Sequence, residues 1–448
     1  MKATRRTFIE GAVALVAWPA VAAEPCAAAV ADASPWETPD GMATDSVMVR
    51  RLYLDLAGRI PSKSEAQAYV LGGKPARRKA LVERLLASDE FADYWAMRFC
   101  DALRVKSEFP INLWPNAVYV YHGRIRRFVK GNESWESFGR ALLTAQGSDF
   151  RDAEANFFRA TDKRTPEGWA EAVAQTFLGI APAELAPERR SKLAAYFANV
   201  KIKNTREWKE EIVYVDGADR RGELCSRLFV DARSEVASAF RRRIRGWLLG
   251  QGSGGGGDGG KMKVKDAIRE IVLSDEYARG SVTGGFPARR LDAEVLDDAF
   301  CSLGGTKRSY FSPAPEPFSF LPPTRRTVCI EDGSISSGFL SLFGRPARDT
   351  GLPSERGTDV TAKQRLYLFN SGRLARQIDN MVKSVGRKRG FRERVEDIYW
   401  RLLSRAPTAR EVAFLEEERK RRSGRGWAAM PRELAWCLVN TKEFLFRV

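Results

Sequence analysis

The sequences RLYLDLAGRIPSKSE, at residues 51–65, and DIYWRLLSRAPTARE, at residues 397–411, follow one pattern. In both, a tyrosine precedes a proline by eight positions, and a serine or threonine follows the proline. That hydroxyl can accept a hydrogen bond from the backbone N–H three residues on, where a glutamate side chain can reach back. Each stretch therefore predicts a helix, a tight turn and a capped second helix, and we expect the pair to serve as scaffold.

Helical spacing of apolar residues extends over most of the chain. The predicted helices cover residues 46–57, 64–71, 76–106, 117–130, 168–178, 188–198, 235–249, 262–279, 291–302, 361–385, 391–404, 409–421 and 430–446. The apolar runs at residues 211–215 and 327–330 predict short strands. The predicted fold class is mainly α: a multi-helical, two-lobed protein with a few short β-strands.

The N-terminus carries the pattern of an export signal. Arg5 and Arg6 precede Phe8 and an apolar run that ends near Ala20, which is typical of a twin-arginine signal peptide over residues 1–23. The apolar run is too short to be a stable membrane anchor. We expect an exported protein, in the periplasm or cell envelope, without a transmembrane anchor.

A glycine-rich stretch at residues 250–261 divides the rest of the chain. Its composition is typical of a flexible linker. No Gly-Lys-Ser/Thr follows it, so it does not form a phosphate loop. The predicted domains are one helical domain over residues 46–249 and a second over residues 262–448.

The charge of the chain suggests polyanionic partners. The formal net charge is +17, and a field of this sign attracts acidic or sulfated polysaccharide, anionic lipid or nucleic acid. Export disfavours nucleic acid as the natural partner. The alternative is that the charge serves solubility, because much of it lies in runs on predicted helices.

Cysteine and histidine usage excludes several kinds of site. The six cysteines include no Cys-x-x-Cys spacing, so neither a zinc ribbon nor covalent haem attachment is available. His122 is the only histidine, which excludes a histidine-rich metal centre. We therefore predict no cofactor and no metal, and a lone histidine is more often structural than catalytic.

The strongest predicted binding site lies between residues 332 and 356. Guanidinium groups bind carboxylate or sulfate in a bidentate manner, so its arginines suit an acidic sugar or an acidic protein surface. In the alternative, the arginines pair with Asp349, Glu355 or helix C-termini, and the serines cap a helix. The predicted binding residues are Asp332, Ser334, Arg345, Arg348, Asp349 and Arg356.

Two further sets are weaker candidates. Aromatic residues beside arginines suit sugar stacking or anion binding, although core packing explains them equally well. This set comprises Trp114, Tyr119, Tyr121 and His122, with Arg124, Arg126 and Arg127. Carboxylates for acid/base hydrolysis require a known separation, so Asp55, Asp89, Asp149 and Asp332 are weak candidates only.

Several stretches together resemble paired domains of unknown function that are abundant in secreted planctomycete and verrucomicrobial proteins. The first domain is matched by YLDLAGRIPS (53–62), LLAS (85–88), LWPNA (113–117), NFFRA (156–160) and EWKEEIV (207–213). The second is matched by RRLDAEVL (289–296), PEPF (315–318), DGSISS (332–337) and LFGRPARDT (342–350). The resemblance covers most of residues 46–448, and the Phe-Gly-Arg-Pro-x-Arg run is fairly specific.

The resemblance implies a setting rather than a reaction. Members are commonly encoded near exported sulfatase-like proteins, which implies polysaccharide breakdown at the cell envelope. Many relatives accompany a cytochrome c-like module and carry Cys-x-x-Cys-His where this chain has Ile180-Ala181-Pro182-Ala183. No haem function carries over. Relatives also have an extra segment and helix where this chain has its glycine linker.

The sequence as a whole suggests an exported binding or assembly protein that is accessory to polysaccharide breakdown. The expected partners are an exported sulfatase-like protein and an acidic, sulfated glycan. The alternative is a hydrolase of acidic polysaccharide that depends on carboxylate and arginine side chains. The sequence leaves open whether any reaction is catalysed.

Overall fold

The computed structural model describes residues 35–73, 76–250, 262–282, 284–314, 325–386, 390–422 and 429–448. These residues are mainly helical with a few short strands, which confirms the predicted fold class. The predicted signal peptide (1–23), linker residues 251–261 and the PEPF stretch (315–318) lie outside the described residues. In the described part of the chain, no helix combines the length and the apolar character needed to cross a bilayer.

Short helices follow one another along the described chain. Up to residue 250 the elements are α1 (Asp45–Ala57), α2 (Lys63–Val70), α3 (Arg77–Ala87), α4 (Asp89–Ala102), α5 (Pro115–Gly131), α6 (Trp135–Thr144), β1 (Gly147–Ser148), α7 (Asn156–Arg159), α8 (Pro166–Val173), α9 (Pro187–Ala194), β2 (Val200–Asn204), β3 (Glu211–Val215), α10 (Arg221–Ser226) and α11 (Arg233–Leu249). From residue 262 they are α12 (Val264–Leu273), α13 (Asp275–Ala278), β4 (Arg289–Arg290), α14 (Ala293–Gly304), α15 (Gly338–Leu342), α16 (Ala362–Asn370), α17 (Gly372–Val385), α18 (Phe391–Leu403), α19 (Ala409–Arg421), α20 (Met430–Val439), α21 (Lys442–Leu445) and β5 (Phe446–Arg447).

The chain forms two compact units, each assembled from separate segments. The first unit is drawn from Met1–Leu81, Asp275–Lys307 and Thr358–Val448. The second is drawn from Val82–Ser274 and Arg308–Gly357. The predicted domains, residues 46–249 and 262–448, are continuous stretches of sequence, whereas each compact unit combines separate segments. The predicted domain boundaries stay a prediction.

The two repeated stretches form the same structure in the first unit. Ser62 caps α2 and Thr408 caps α19, and in both cases the glutamate three residues later accepts a hydrogen bond from the backbone N–H of the cap residue. The predicted capping boxes are therefore confirmed. The helix before each turn ends in a left-handed residue at matching positions, Gly58 with φ 59° and Ser404 with φ 61°.

An arginine braces the turn in each copy. Arg59 forms a bidentate pair with Glu65, with both N···O distances at 2.8 Å. Arg405 pairs with Glu411 in the same way, at 2.8 and 2.9 Å. The second copy has one more ion pair, because Arg405 also donates to Glu443 at 2.7 Å. The matched geometry explains why the spacing of Arg and Glu repeats in the sequence.

The first unit also contains a buried acid that joins distant segments. Asp55 of α1 is 3% exposed, accepts from the Tyr277 hydroxyl at 2.6 Å and forms an ion pair with Arg447 at 2.5 Å. Arg50 donates to the carbonyl of Leu402 at 2.8 Å. Removing one member of such a group would break buried hydrogen bonds of the others, which is costly in the protein interior. These polar contacts tie α1 to residues near the C-terminus.

Several predicted helices are interrupted at a serine or threonine. The prediction for residues 76–106 is divided at Ser88, whose hydroxyl accepts from Phe91 N at 3.1 Å and so begins α4. Ser371 begins α17 and Thr441 begins α21 by the same contact to the residue three positions on. These hydroxyls compete with the helical ladder for backbone groups. The helical spacing of apolar residues continues across each break, so the sequence pattern does not show where one helix ends and the next begins.

One predicted strand is confirmed and the other is wrong. Residues 211–215 form β3, at the centre of a three-stranded antiparallel sheet of order β1-β3-β2 in the second unit. The predicted strand at 327–330 is a turn of 3-10 helix, Thr327–Cys329. Thr327 and Val328 are buried there, so their β-branched character serves packing rather than strand pairing.

Aromatic rings dominate the core of the second unit. Phe128 and Phe138 stack with their ring centres 4.3 Å apart, and Trp135 is 1% exposed. Replacing a buried tryptophan of this kind by alanine costs about 3–5 kcal/mol. The rings in contact are Phe99, Phe128, Trp135, Phe138, Phe177, Phe240 and Trp247.

Candidate functional site

The arginines of the predicted binding site contact protein groups. Arg348 is 1% exposed, and its Nε donates to Asp101 Oδ1 at 2.8 Å. Arg356 donates to the other oxygen of Asp101 at 2.6 Å. Burial would raise the pKa of Asp101, but the two guanidinium charges outweigh it and hold the pKa below its ordinary value. We call Asp101, Arg348 and Arg356 the arginine clamp.

The backbone around Arg348 is shaped to hold it in the clamp. Its Nη1 donates to the carbonyls of Val105 at 3.3 Å and Glu331 at 2.5 Å. Its φ of 61° is in the left-handed region, which non-glycine residues seldom adopt. A Cβ at Gly333 would lie 2.9 Å from Arg348 Cδ, so this close approach requires glycine.

Asp332, Ser334 and Arg345 lie in the same region. Asp332 Oδ1 accepts from the backbone N–H of Ser107 at 2.9 Å and of Ser334 at 2.8 Å. Ser334 Oγ accepts from Glu108 N at 3.0 Å. Arg345 donates to the carbonyl of Asp332 at 3.1 Å. These bonds fix the loop after residue 331 to the segment that follows α4.

The remaining predicted residue, Asp349, forms an ion pair with Lys106. Neighbouring Glu355 accepts from both the backbone N–H and the hydroxyl of Thr350. The structure thus brings the six predicted binding residues into one region and engages each with protein groups. A ligand-binding role for them stays a prediction.

The aromatic set on α5 divides between core and surface. Tyr119 is 67% exposed, whereas Tyr121 and His122 are buried. Burial, together with the charges of Arg348, Arg325 and Arg126, lowers the pKa of His122 to about 3. The only histidine is therefore neutral under ordinary conditions.

The arginines beside this set are paired with carboxylates. Arg124 contacts Glu133 at 2.8 Å and Glu154 at 2.5 Å. Arg126 contacts Asp93 at 2.5 Å. Arg127 is exposed. These side chains lie on different faces of α5, and they do not surround one common position that a ligand could occupy.

Three of the four predicted acid/base carboxylates are buried. Asp55, Asp149 and Asp332 are 3%, 0% and 4% exposed. A general acid must lie within hydrogen-bond reach of its substrate, and these carboxyl groups are covered by protein. Asp89 is exposed at the start of α4 and pairs with Lys130 at 2.7 Å.

A different surface combines one exposed and one half-buried tryptophan with a positive charge. Trp208 is 65% exposed in the connection between β2 and β3. The Nζ atom of the following residue, Lys209, lies 5.7 Å from the Trp208 ring centre and 5.8 Å from the ring centre of Trp114. Among the described residues, Lys209 makes no ion pair, and its side chain is exposed. We call Trp114, Trp208 and Lys209 the aromatic surface.

The backbone of Trp114 is strained. Its φ and ψ are 69° and 150°, a region that glycine alone adopts readily, and such a conformation costs about 1–3 kcal/mol in other residues. Lys209 also has a positive φ, of 65°. Strain of this kind persists only where the surroundings enforce it, and it concentrates at functional sites.

Two arginines enforce the conformation by holding the carbonyl groups that precede the strained tryptophan. Arg159 donates to the carbonyls of Leu113 at 3.1 Å and Asn112 at 3.3 Å. Arg164 donates to the carbonyl of Ile111 at 3.0 Å. The chain therefore enters α5 along a path that these side chains fix.

Acidic side chains hold both arginines in turn. Arg159 contacts Asp149 and Glu211, each at 2.5 Å, and Arg164 contacts Glu211 at 2.9 Å. Burial raises the pKa of Asp149 to about 6, because the single charge of Arg159 offsets it only in part. We call Asp149, Arg159, Arg164 and Glu211 the charged frame. It joins α7, β3 and the loop before α5 beneath the aromatic surface.

The strand before Lys209 adds further positive charge. Lys201 and Lys203 of β2 are exposed, and Lys203 Nζ lies 5.0 Å from the ring centre of Tyr214. Lys201 pairs with Tyr214 in the β2–β3 register, so its side chain is on the same sheet face. The hairpin thus presents lysines and aromatic rings together.

Sulfur and carboxylate ligands do not assemble into a metal site in the described part of the chain. No group of three or more His, Cys, Asp or Glu residues there could hold a metal ion. Cys100, Cys225, Cys301 and Cys437 are free thiols. Burial raises the pKa of Cys100 to about 12, so it is not a reactive thiolate.

Two family models match the chain. One, described as "Protein of unknown function (DUF1549)", matches residues 33–230, and the other, described as "Protein of unknown function (DUF1553)", matches residues 259–418. The chain belongs to this family of paired domains. A search of curated proteins and a search of solved structures each found no match. The aromatic surface and the charged frame both lie within the DUF1549 match.

Sequence reasoning missed most of this site. It named Trp114 and Asp149 as candidates, but not Trp208, Lys209 or the two arginines of the frame. Three of the family-like stretches, at 113–117, 156–160 and 207–213, meet at the frame, because they supply Leu113, Arg159 and Glu211. Their shared resemblance to one domain was the signal that could have located the site.

Proposed function

We propose that this protein is exported, binds acidic polysaccharide through the aromatic surface, and acts beside enzymes that break such polymers down. The observation that carries the proposal is the Lys209 ammonium against two indole rings, 5.8 and 5.7 Å from their centres. A sugar ring can lie on the exposed Trp208 face, while the ammonium binds a sulfate or carboxylate substituent.

The wider charge distribution supports an acidic ligand. The net charge of +17 raises the local concentration of polyanions, and the exposed lysines of β2 lie on the same hairpin as Lys209. The twin-arginine pattern supports action in the periplasm or cell envelope. An exported sulfatase-like protein is the proposed companion.

The proposal is tested with the chain from residue 24 onward and three polymers: dextran sulfate, polygalacturonate and uncharged dextran. We expect salt-sensitive binding to the first two only. Trp208→Ala and Lys209→Ala should each weaken binding about tenfold, which corresponds to about 1.4 kcal/mol. The matched controls are Tyr119→Ala, an exposed aromatic residue, and Lys192→Ala, an exposed lysine on α9, and both should bind as the parent does.

Equal affinity in all four variants would refute the aromatic surface as the binding site. The hydrolase alternative makes a separate prediction, namely new reducing ends in the polymer. Product that disappears in a carboxylate variant such as Asp89→Asn would favour that alternative. Binding without product supports the accessory role, and a pull-down from the native envelope would then test for the sulfatase-like companion.

A further inference from the structure

The β2–β3 hairpin has a second face, opposite the one that joins the charged frame. Side chains alternate between the two faces of a strand. Glu211 and Val213 of β3 are on the inner face, where Glu211 contacts Arg159 at 2.5 Å and Val213 is fully buried. Ile212 and Tyr214 are therefore on the opposite face, and both are half-buried. We call this opposite face the outer face of the hairpin.

Two lysines of β2 belong to the outer face. Lys201 is paired with Tyr214, and Lys203 with Ile212, in the antiparallel register, and paired residues project from the same face of a sheet. Both lysines are exposed. Residues two positions apart in a strand are separated by about 7 Å. The outer face therefore presents two basic side chains next to one aromatic ring.

One of these lysines contacts the ring directly. Lys203 Nζ lies 5.0 Å from the ring centre of Tyr214, which is within the range of a cation–π contact. Such a contact orients the ammonium group beside the phenol and leaves its charge in place. Lysine and aromatic ring are thus arranged as they are at Lys209 and Trp208, where the corresponding distance is 5.7 Å.

Carboxylates do not neutralise the two lysines within the described part of the chain, where neither lysine forms an ion pair. The glutamate that precedes β3, Glu210, accepts instead from the hydroxyls of Ser148 at 2.5 Å and Thr205 at 2.8 Å. Lysines elsewhere do pair, as Lys130 does with Asp89 at 2.7 Å. The outer face therefore keeps its positive charge.

The outer face and the aromatic surface are parts of the same hairpin. Residues 201–209, which form most of β2 and the connection to β3, include four basic residues and one acidic residue. Two sites on one hairpin can contact one polymer at the same time, and the second contact then forms at a high effective concentration. A polymer gains affinity from this arrangement, whereas a single sugar does not.

We propose that the outer face is a second binding site for the same acidic polysaccharide, in which Lys201 and Lys203 bind carboxylate or sulfate groups and Tyr214 contacts a sugar ring. The inference rests on the proposed function, because it takes the same class of ligand. It adds that one polysaccharide chain contacts the outer face and the aromatic surface together, so that affinity increases with the length of the polymer.

A purely structural role for these lysines predicts a different result. β2 is an edge strand, because the sheet has the order β1-β3-β2, and lysines on edge strands hinder pairing with another chain. In that role, removing the lysines would promote self-association and leave polysaccharide affinity unchanged. Edge protection also requires no aromatic ring beside a lysine, whereas Lys203 contacts Tyr214.

The test uses the chain from residue 24 onward, with long polygalacturonate and with fragments of about three sugars. The double variant Lys201→Gln with Lys203→Gln keeps most of each stem and removes both charges. It should weaken binding of the long polymer at least about tenfold. Titration with the short fragment should show two bound fragments in the parent and one in this variant. Lys201→Arg with Lys203→Arg should bind as the parent does.

Matched controls are available in the same unit. Arg127→Gln with Lys192→Gln removes the same charge from two other exposed positions, and it should bind as the parent does. Tyr214→Leu should weaken binding, whereas Tyr196→Leu should not. Tyr196 is also half-buried beside a basic group, that of Arg220 at 5.2 Å from the ring centre, but that guanidinium is paired with an acidic side chain.

Trp208→Ala separates this inference from the proposed function. If Trp208→Ala weakens binding and the Lys201→Gln, Lys203→Gln variant does not, the outer face is not a site, although the aromatic surface is. The reverse result would support the outer face and refute the aromatic surface. Self-association of the glutamine variant at unchanged affinity would overturn the inference in favour of edge protection. Equal losses in the two variants that remove charge would also overturn it, because the effect would then belong to net charge.

Discussion

Arg348 and Lys209 are both basic, both in the second unit and both left-handed, with φ of 61° and 65°, yet their surroundings are opposite. Arg348 is 1% exposed and faces Asp101. Lys209 is exposed and faces two indole rings. Of these two residues, the one opposite a carboxylate is enclosed by the protein, whereas the one opposite the two indole rings keeps its charge at the surface.

The largest effect is expected from breaking the arginine clamp. Asp101→Asn would remove the carboxylate that both Arg348 and Arg356 contact, and the loss of one member of a buried charged group costs about 3–5 kcal/mol. Lys209→Ala at the exposed surface should change the free energy of unfolding by no more than about 0.5 kcal/mol. Urea denaturation of the two variants measures the difference.

The matched control for the clamp is Asp93→Asn on the same helix. Asp93 pairs with Arg126, and both side chains are more exposed than those of the clamp arginines, so the loss should be about 1 kcal/mol or less. A clamp variant no less stable than this control would contradict the interpretation. Arg345→Ala with Arg348→Ala should also unfold the protein. If that double variant instead folds and loses polyanion binding, the region is a ligand site.

A second prediction sharpens the comparison through pH. The pKa of Asp101 is lowered, so its stabilisation is present above its unfolded pKa of about 3.8 and is lost as pH falls through the folded value. The pKa of Asp149 in the charged frame is instead raised from 3.8 to about 6. Its ionisation therefore reduces stability as pH rises between those two values.

Asparagine variants should consequently show opposite trends. The destabilisation caused by Asp101→Asn should be larger at about pH 7 than at about pH 3, whereas that caused by Asp149→Asn should be larger at about pH 4 than at about pH 7. Urea denaturation of parent and variants across this range provides the values. Parallel trends in the two variants would mean that the two carboxylates do not differ as described.

Much of the fold could be predicted because its signals are local. Capping boxes at Ser62 and Thr408 depend on residues three positions apart, and the amphipathic period depends on neighbours one turn apart. The helix breaks at Ser88 and Ser371 were missed because the apolar period does not change there. The strand predicted at 327–330 failed because burial, not pairing, selects those residues.

The site could be predicted far less well because its partners are distant in sequence. The sequence did not indicate that Arg348 is paired, because its partner Asp101 lies in a helix far away along the chain. Lys209 was not predicted as a binding residue because Trp114, whose ring it lies beside, precedes the strands of the sheet in the sequence. The sequence shows which residues are charged or aromatic. It does not show which of them form contacts, because the tertiary structure determines that.

The smallest expected effect concerns the strained tryptophan. Glycine adopts the backbone conformation of Trp114 without strain, while alanine retains most of it. Trp114→Gly should therefore be more stable than Trp114→Ala by about 1 kcal/mol, the reverse of the usual order. Both should weaken polyanion binding, because each removes one of the two rings beside Lys209.

Tyr119 provides the control of opposite sign, because it is exposed within α5. There glycine should be less stable than alanine by about 1 kcal/mol, and polyanion affinity should not change. Urea denaturation of the four variants measures both differences. If the glycine variant is less stable than the alanine variant at both positions, the backbone conformation of Trp114 is not strained. The charged frame would then not be needed to maintain that conformation. If glycine is more stable than alanine only at Trp114, the charged frame holds a strained backbone at a cost in stability and so keeps an indole ring beside Lys209. Such a cost is expected of a binding surface rather than of packing.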